Sequence, residues 1–147
     1  MIVDGEQAML ALGAKMAEVL QPGMQLYLKG ELGAGKTTFV RGLLRGLDYE
    51  GRVKSPTFTI VEPYTLKQGT LYHMDLYRIV DPEELNYLGL DDYFSRENIC
   101  IVEWPEKAGE SLPRPDILLT LDFCDEGRDV VCEAFSEKGQ SVLEKIK

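Results

Sequence analysis

The apolar positions of this chain alternate between two spacings, and the places where the spacing changes mark its elements. From Gly5 to Leu20, Leu12, Met16, Val19 and Leu20 fall on one helical face. Asp4 is the expected N-cap, Gln7 completes a capping-box pattern, and Pro22-Gly23 is the stop. Met24 to Lys29 reads as a short strand, with Leu26 and Leu28 on one face. Helical spacing returns from Lys36 to Leu47 through Phe39, Val40, Leu43, Leu44 and Leu47, although Gly42 and Gly46 lower the propensity. After a polar stretch from Asp48 to Lys54, Phe58 to Glu62 and Thr70 to Asp75 read as strands. The link Pro63 to Gly69 is too short for a crossover helix, so these two strands are expected to form an antiparallel hairpin.

Asp81-Pro82-Glu83-Glu84 has the composition of a helix start, which assigns Asp81 and Glu84 to capping. Asn98 to Val102 is an apolar strand that delivers Glu103 and Trp104 before Pro105 stops it. Asp116 to Phe123 alternates cleanly, with Arg128 to Phe135 as its hairpin partner across Asp125-Glu126-Gly127. Gly139 to Lys147 reads as a short terminal helix.

The junction between the first strand and the second helix carries the chemistry. Gly30-Glu31-Leu32-Gly33-Ala34-Gly35-Lys36-Thr37 fits G-x-x-x-x-G-K-[ST], the loop that cradles nucleotide phosphates. Its glycines let successive N–H groups turn inward, Lys36 supplies a mobile charge for the β- and γ-phosphates, and the Thr37 hydroxyl suits Mg²⁺. A strand before the loop and a helix after it place the phosphates at a helix N-terminus. The fold class that follows is α/β: a P-loop NTPase-like mixed β-sheet with flanking helices and antiparallel hairpins.

Composition narrows the picture. At 147 residues and 44% hydrophobic, residues 1–147 are expected to form one domain around one core. No apolar run is long enough to span a bilayer and no leader-like segment opens the chain, so a cytoplasmic, membrane-free protein is expected. Cys100, Cys124 and Cys132 lack metal-site spacing and read as free, mostly buried thiols. A net charge of −9 argues against direct contact with nucleic acid, which needs clustered Lys and Arg.

A phosphate loop needs a carboxylate at the end of a neighbouring strand to hold Mg²⁺. Glu103 and Asp75 both end apolar runs and both qualify; Asp75 could instead pair with Arg78. Thr57, in a proline-marked loop, stands where nucleotide switches place a γ-phosphate-sensing hydroxyl. His73, the single histidine, reads as a satisfied structural residue before a base.

Four segments in order carry a resemblance: the phosphate loop through Phe39, Ser55-Pro56-Thr57-Phe58-Thr59, His73-Met74-Asp75-Leu76-Tyr77-Arg78, and Ile101-Val102-Glu103-Trp104-Pro105. From about Asp4 to Val131 the chain resembles the TsaE family, small ATPases of tRNA threonylcarbamoyladenosine biosynthesis. The resemblance implies an ATP- and Mg²⁺-binding hydrolase that supports a TsaD–TsaB heterodimer, which itself modifies tRNA beside the anticodon. It implies that Leu32, Gly33, Ala34, Gly35, Lys36, Thr37 and Thr38 surround the phosphates and that Thr37 and Glu103 hold Mg²⁺. Lys36, Thr57 and Asp75 would serve catalysis, with Asp75 positioning or activating water. Trp104 would pack beside the nucleotide or face a partner, and Glu6 and Arg128 would approach the nucleotide. Many relatives carry Thr at Met9, which leaves adenine contacts from that helix open. No arginine finger is apparent, so slow hydrolysis, raised by partners, is expected. A small-molecule kinase and a non-catalytic ATP-gated switch are the competing readings.

Overall fold

The computed structural model describes residues 1–146 and shows the mixed α/β sheet expected. Its strands are β1 (Ile2–Val3), β2 (Gln25–Lys29), β3 (Val61–Leu66), β4 (Gly69–Asp75), β5 (Ile99–Glu103), β6 (Ile117–Cys124) and β7 (Gly127–Ala134). Their spatial order is β1-β7-β6-β2-β5-β4-β3. The centre, β6-β2-β5-β4, is parallel, and β3 and β7 are antiparallel hairpin partners at its flanks. Parallel strands are covered on both faces, which explains why β2 and β5 read as near-continuous apolar runs.

Helices α1 (Gly5–Ala17), α2 (Lys36–Gly46) and α4 (Glu137–Ile146) pack on the face that presents Leu26, Leu28, Leu71 and Ile101. The opposite face presents Tyr27, Met74, Cys100 and Val102. It is covered by irregular chain: 3-10 turns at Pro82–Leu88 and Pro105–Ala108, and the short α3 (Leu90–Tyr93). The glycine that weakens α2 has a packing reason. A Cβ on Gly42 would strike the Leu10 carbonyl of α1, and one on Gly13 would strike the Phe39 carbonyl of α2. The two helices cross backbone to backbone, as only glycines allow.

Several boundaries differ from the sequence expectation. Phe58 does not begin a strand. Pro56 opens a turn closed by the Ile60 N–H donating to the Pro56 carbonyl at 2.7 Å, and Ile60 takes φ 69°, so β3 starts only at Val61. The hairpin with β4 forms, with Pro63 inside β3; as the sheet's edge strand, β3 tolerates a residue without N–H. Asp4 sits at the N-cap of α1 but makes no cap hydrogen bond, and the chain enters directly from β1, a strand with no sequence signal. Helix α1 ends at Ala17, short of Leu20.

The capping box expected at Asp81 and Glu84 is present, although the element it opens is a 3-10 turn. Helix α4 starts at Glu137, and Lys147 lies outside the described residues. The cysteines are free, but only Cys100 is fully buried; Cys124, at the β6–β7 turn, is exposed. Burial pushes the Cys100 thiol up to about 12, so it stays protonated. No described helix is long and apolar enough to cross a membrane.

Candidate nucleotide site

The loop between β2 and α2 turns through Gly33 (φ 81°) and Gly35 (φ 108°), conformations that side-chain-bearing residues rarely adopt. Lys36 opens α2 and folds back, its ammonium donating to the carbonyls of Gly30 and, at 3.1 Å, Glu31. That ammonium also lies 4.6 Å from the Trp104 ring centre. Burial lowers the Lys36 pKa, and the acids Glu103, Asp75, Glu106 and Glu31 oppose the shift. Arg128 of β7 reaches across the sheet: Nε donates to Ala34 O at 3.1 Å and Nη2 to Gly33 O at 3.2 Å. Met9 of α1 is buried beneath Gly35. Met9 is thus part of the floor of the loop.

The facing wall comes from β4 and β5. Asp75 and Glu103 end these parallel strands in register with each other. Both are buried, on the face that α2 covers. The Thr37 hydroxyl donates to Glu103 Oε2 at 3.5 Å. Asp75 accepts from the Tyr77 N–H at 2.9 Å and from the Thr57 hydroxyl at 3.2 Å, which ties the Thr57 loop to the strand end. Burial raises the Asp75 pKa, and the hydrogen bonds from Tyr77 and Thr57 oppose this only in part. Asp75 makes no ion pair with Arg78, whose guanidinium lies 4.9 Å from the exposed Phe58 ring. Trp104 takes φ 57° at the end of β5, a strained turn that aims its indole at Lys36 and Tyr77.

These walls enclose an open cavity of about 280 Å³. Of the residues expected to form the site, Leu32, Gly33, Gly35, Lys36, Thr37, Thr38, Thr57, Asp75, Glu103 and Trp104 line it. Ala34 is buried behind the loop, and Arg128 touches the loop's carbonyls from outside the cavity. Glu6 does not line it; its carboxylate faces Arg41 at 3.4 Å on the surface.

Two neighbours were not among the residues the sequence assigns to the site. Ser55 lines the cavity and lies 2.8 Å from the Thr57 hydroxyl. His73 is not the satisfied structural residue expected: Nε2 lies 2.5 Å from Glu103 Oε2, while Nδ1 is buried without a partner. The signal available for it was alternation along β4, which puts residues 73 and 75 on one face.

A sequence profile for the threonylcarbamoyl adenosine biosynthesis protein TsaE matches residues 3–130. The chain belongs to the TsaE family. The tRNA threonylcarbamoyladenosine biosynthesis protein TsaE of Haemophilus influenzae is 43% identical, over 96% of this chain and 92% of that protein. Its namesake in Bacillus subtilis is 38% identical, over 92% and 85%. Among solved structures, Bacillus subtilis YdiB superposes with a TM-score of 0.82 at 32% identity, covering 97% of this chain and 88% of that one. The TsaE match includes all four segments that carry the sequence resemblance, and the structure gathers residues from every one of them around a single cavity.

Proposed function

We propose that this chain binds ATP with Mg²⁺ and hydrolyses it, slowly alone and faster with a TsaD–TsaB heterodimer, in support of threonylcarbamoyladenosine modification of tRNA. One observation carries the reading. Two buried carboxylates from adjacent parallel strands, in register, face the lysine and threonine of a phosphate loop across one cavity. The relatives' shared name, tRNA threonylcarbamoyladenosine biosynthesis protein, supplies the pathway. The acidic charge of −9 fits a division of labour in which the partners hold the tRNA, within the cytoplasm.

The donor set suits magnesium. Thr37 and Glu103 offer hard oxygens side by side, and no cluster of three or more His, Cys, Asp or Glu ligands exists among the described residues. Mg²⁺ favours such incomplete sites because it keeps waters and substrate phosphates as ligands. Bound there, it would neutralise charge on the β- and γ-phosphates.

The protein's own groups supply the rest. The loop N–H groups and α2 N-terminus receive the phosphates, and the Lys36 ammonium exchanges the Gly30 and Glu31 carbonyls for phosphate oxygens. Asp75, fixed by Tyr77 and Thr57, orients water and accepts its proton; the pKa raised by burial makes it the better acceptor. No arginine lines the cavity among the described residues, which fits the slow unaided turnover proposed.

The test is Mg-ATP hydrolysis by the protein alone and with TsaD–TsaB and tRNA, beside Glu103→Ala. Stimulation by the partners that disappears in the variant supports the reading. Tight ATP binding without hydrolysis under any condition would favour an ATP-gated switch.

A further inference from the structure

His73 is completely buried, and its one hydrogen-bond partner is the carboxylate assigned to magnesium. Glu103 Oε2 lies 2.5 Å from His73 Nε2 and accepts from the Thr37 hydroxyl at the longer 3.5 Å. A carboxylate only accepts, so the shared proton is placed on Nε2. Nδ1 has neither donor nor acceptor near it.

As a core filler this side chain is a poor choice, since an orphaned buried nitrogen costs stability that an apolar residue would not lose. Its one strong bond is aimed at Glu103, whose flexible side chain otherwise has several rotamers available. Strand geometry explains the reach. His73 shares a face of β4 with Asp75, and Glu103 shares the matching face of β5, so the imidazole lies beneath the carboxylate and away from the cavity it does not line.

We propose that His73 is a positioning residue: its Nε2–H holds the Glu103 carboxylate against the Thr37 hydroxyl, pre-forming the protein's half of a magnesium site. This rests on the reading of Glu103 as a metal-holding residue. Groups that orient a metal ligand in this way typically change metal affinity by about 10- to 100-fold when removed.

The native reporter is Trp104, the single tryptophan, which lines the cavity beside Glu103. Its fluorescence follows binding of a non-hydrolysable ATP analogue, titrated once in EDTA and once in excess MgCl₂. The ratio of the two dissociation constants measures how strongly magnesium and nucleotide assist each other. In His73→Leu this ratio falls by about 10-fold or more while metal-free affinity is unchanged.

His73→Gln, whose amide nitrogen reaches the place of Nε2, recovers most of the ratio; His73→Asn, which is too short, does not. If the leucine variant fails to fold, the glutamine and asparagine pair decides. A wild-type ratio in His73→Leu, equal losses with and without metal, or Gln no better than Asn would overturn the positioning role. A wild-type protein in which magnesium does not strengthen nucleotide binding would overturn the reading of Glu103 itself.

Discussion

On one side of the cavity the phosphate loop is slung between β2 and α2, whose Leu26, Leu28, Phe39, Val40 and Leu43 are completely buried. On the other side Thr57 rides on a turn whose neighbour Phe58 is 82% exposed and whose Ile60 adopts a left-handed conformation. The first wall is set by apolar packing on both of its anchors. The Thr57 loop, which lies over the buried ends of β4 and β5, is set by individual polar bonds: Thr57 to Asp75, Tyr77 to Asp75, and the Asp75 N–H to the Ile60 carbonyl at 2.9 Å. Packing makes the phosphate wall part of the global fold, whereas a wall held by a few bonds opens locally at much lower cost. The difference fits the proposal that nucleotide binding is preset and that catalytic geometry is completed by a partner.

The sharpest way to break this comparison is to remove packing from the rigid wall. Phe39 is completely buried between α2 and the sheet, so Phe39→Ala is expected to cost about 3–5 kcal/mol of stability. Thermal unfolding measures it, and nucleotide affinity should fall in step as the loop's anchor loosens. A loss near 1 kcal/mol would mean that the wall is not held by this core.

Asp75→Asn separates chemistry from binding on the opposite wall. Hydrolysis, with or without partners, is expected to drop by about 100-fold or more while nucleotide affinity holds. The same variant has a stability signature. Because burial raises the Asp75 pKa, the ionised carboxylate is a liability of the folded state above that pKa. Asp75→Asn should therefore be the more stable protein at neutral pH. That advantage shrinks as pH falls through the raised pKa and past the ordinary 3.8, below which folded and unfolded chains are both protonated. Urea melts across that window would show the two curves converging; divergence at low pH would reverse the assignment.

These two walls also explain what could be read in the chain beforehand. The phosphate loop, β2, α2, β5 and the β6–β7 hairpin have short-range causes: alternation, helical spacing, glycines and a two-residue turn. Glu103 was placed at a strand end because an apolar run stops there. The loop at Thr57 is legible from its proline, but Phe58 to Ile60 reads as the start of a strand, since Phe58 and Ile60 are good strand formers and the Pro56 turn overrides them. β1 owes its two residues entirely to pairing with β7, which no local pattern encodes. His73 is legible as a structural strand residue but not as Glu103's partner, because that contact depends on the register between β4 and β5. Gly42 looked like a weak point in α2, and its purpose lies in another helix.

That purpose gives a smaller effect. On propensity alone Gly42→Ala should strengthen α2 by about 1 kcal/mol. The Leu10 carbonyl stands where the new methyl would go, so α1 must move away. A net destabilisation of about 1–3 kcal/mol is expected in thermal unfolding. A gain in stability would show that the helix pair yields and that the phosphate wall is softer than its burial implies.

The smallest effect is expected at Phe58, and it is the control for Phe39. Both are phenylalanines attached to a wall of the cavity, but Phe58 buries little and its ring's partner is the Arg78 guanidinium at 4.9 Å. An exposed pair of that kind contributes about 0.5–1 kcal/mol, so Phe58→Ala should shift stability by no more than that. Metal-free nucleotide affinity should not change, because Phe58 does not line the cavity. A cost approaching that of Phe39→Ala would mean that the Thr57 loop is packed as firmly as the phosphate loop. The contrast between a preset binding wall and an adjustable opposite wall would then have no physical basis.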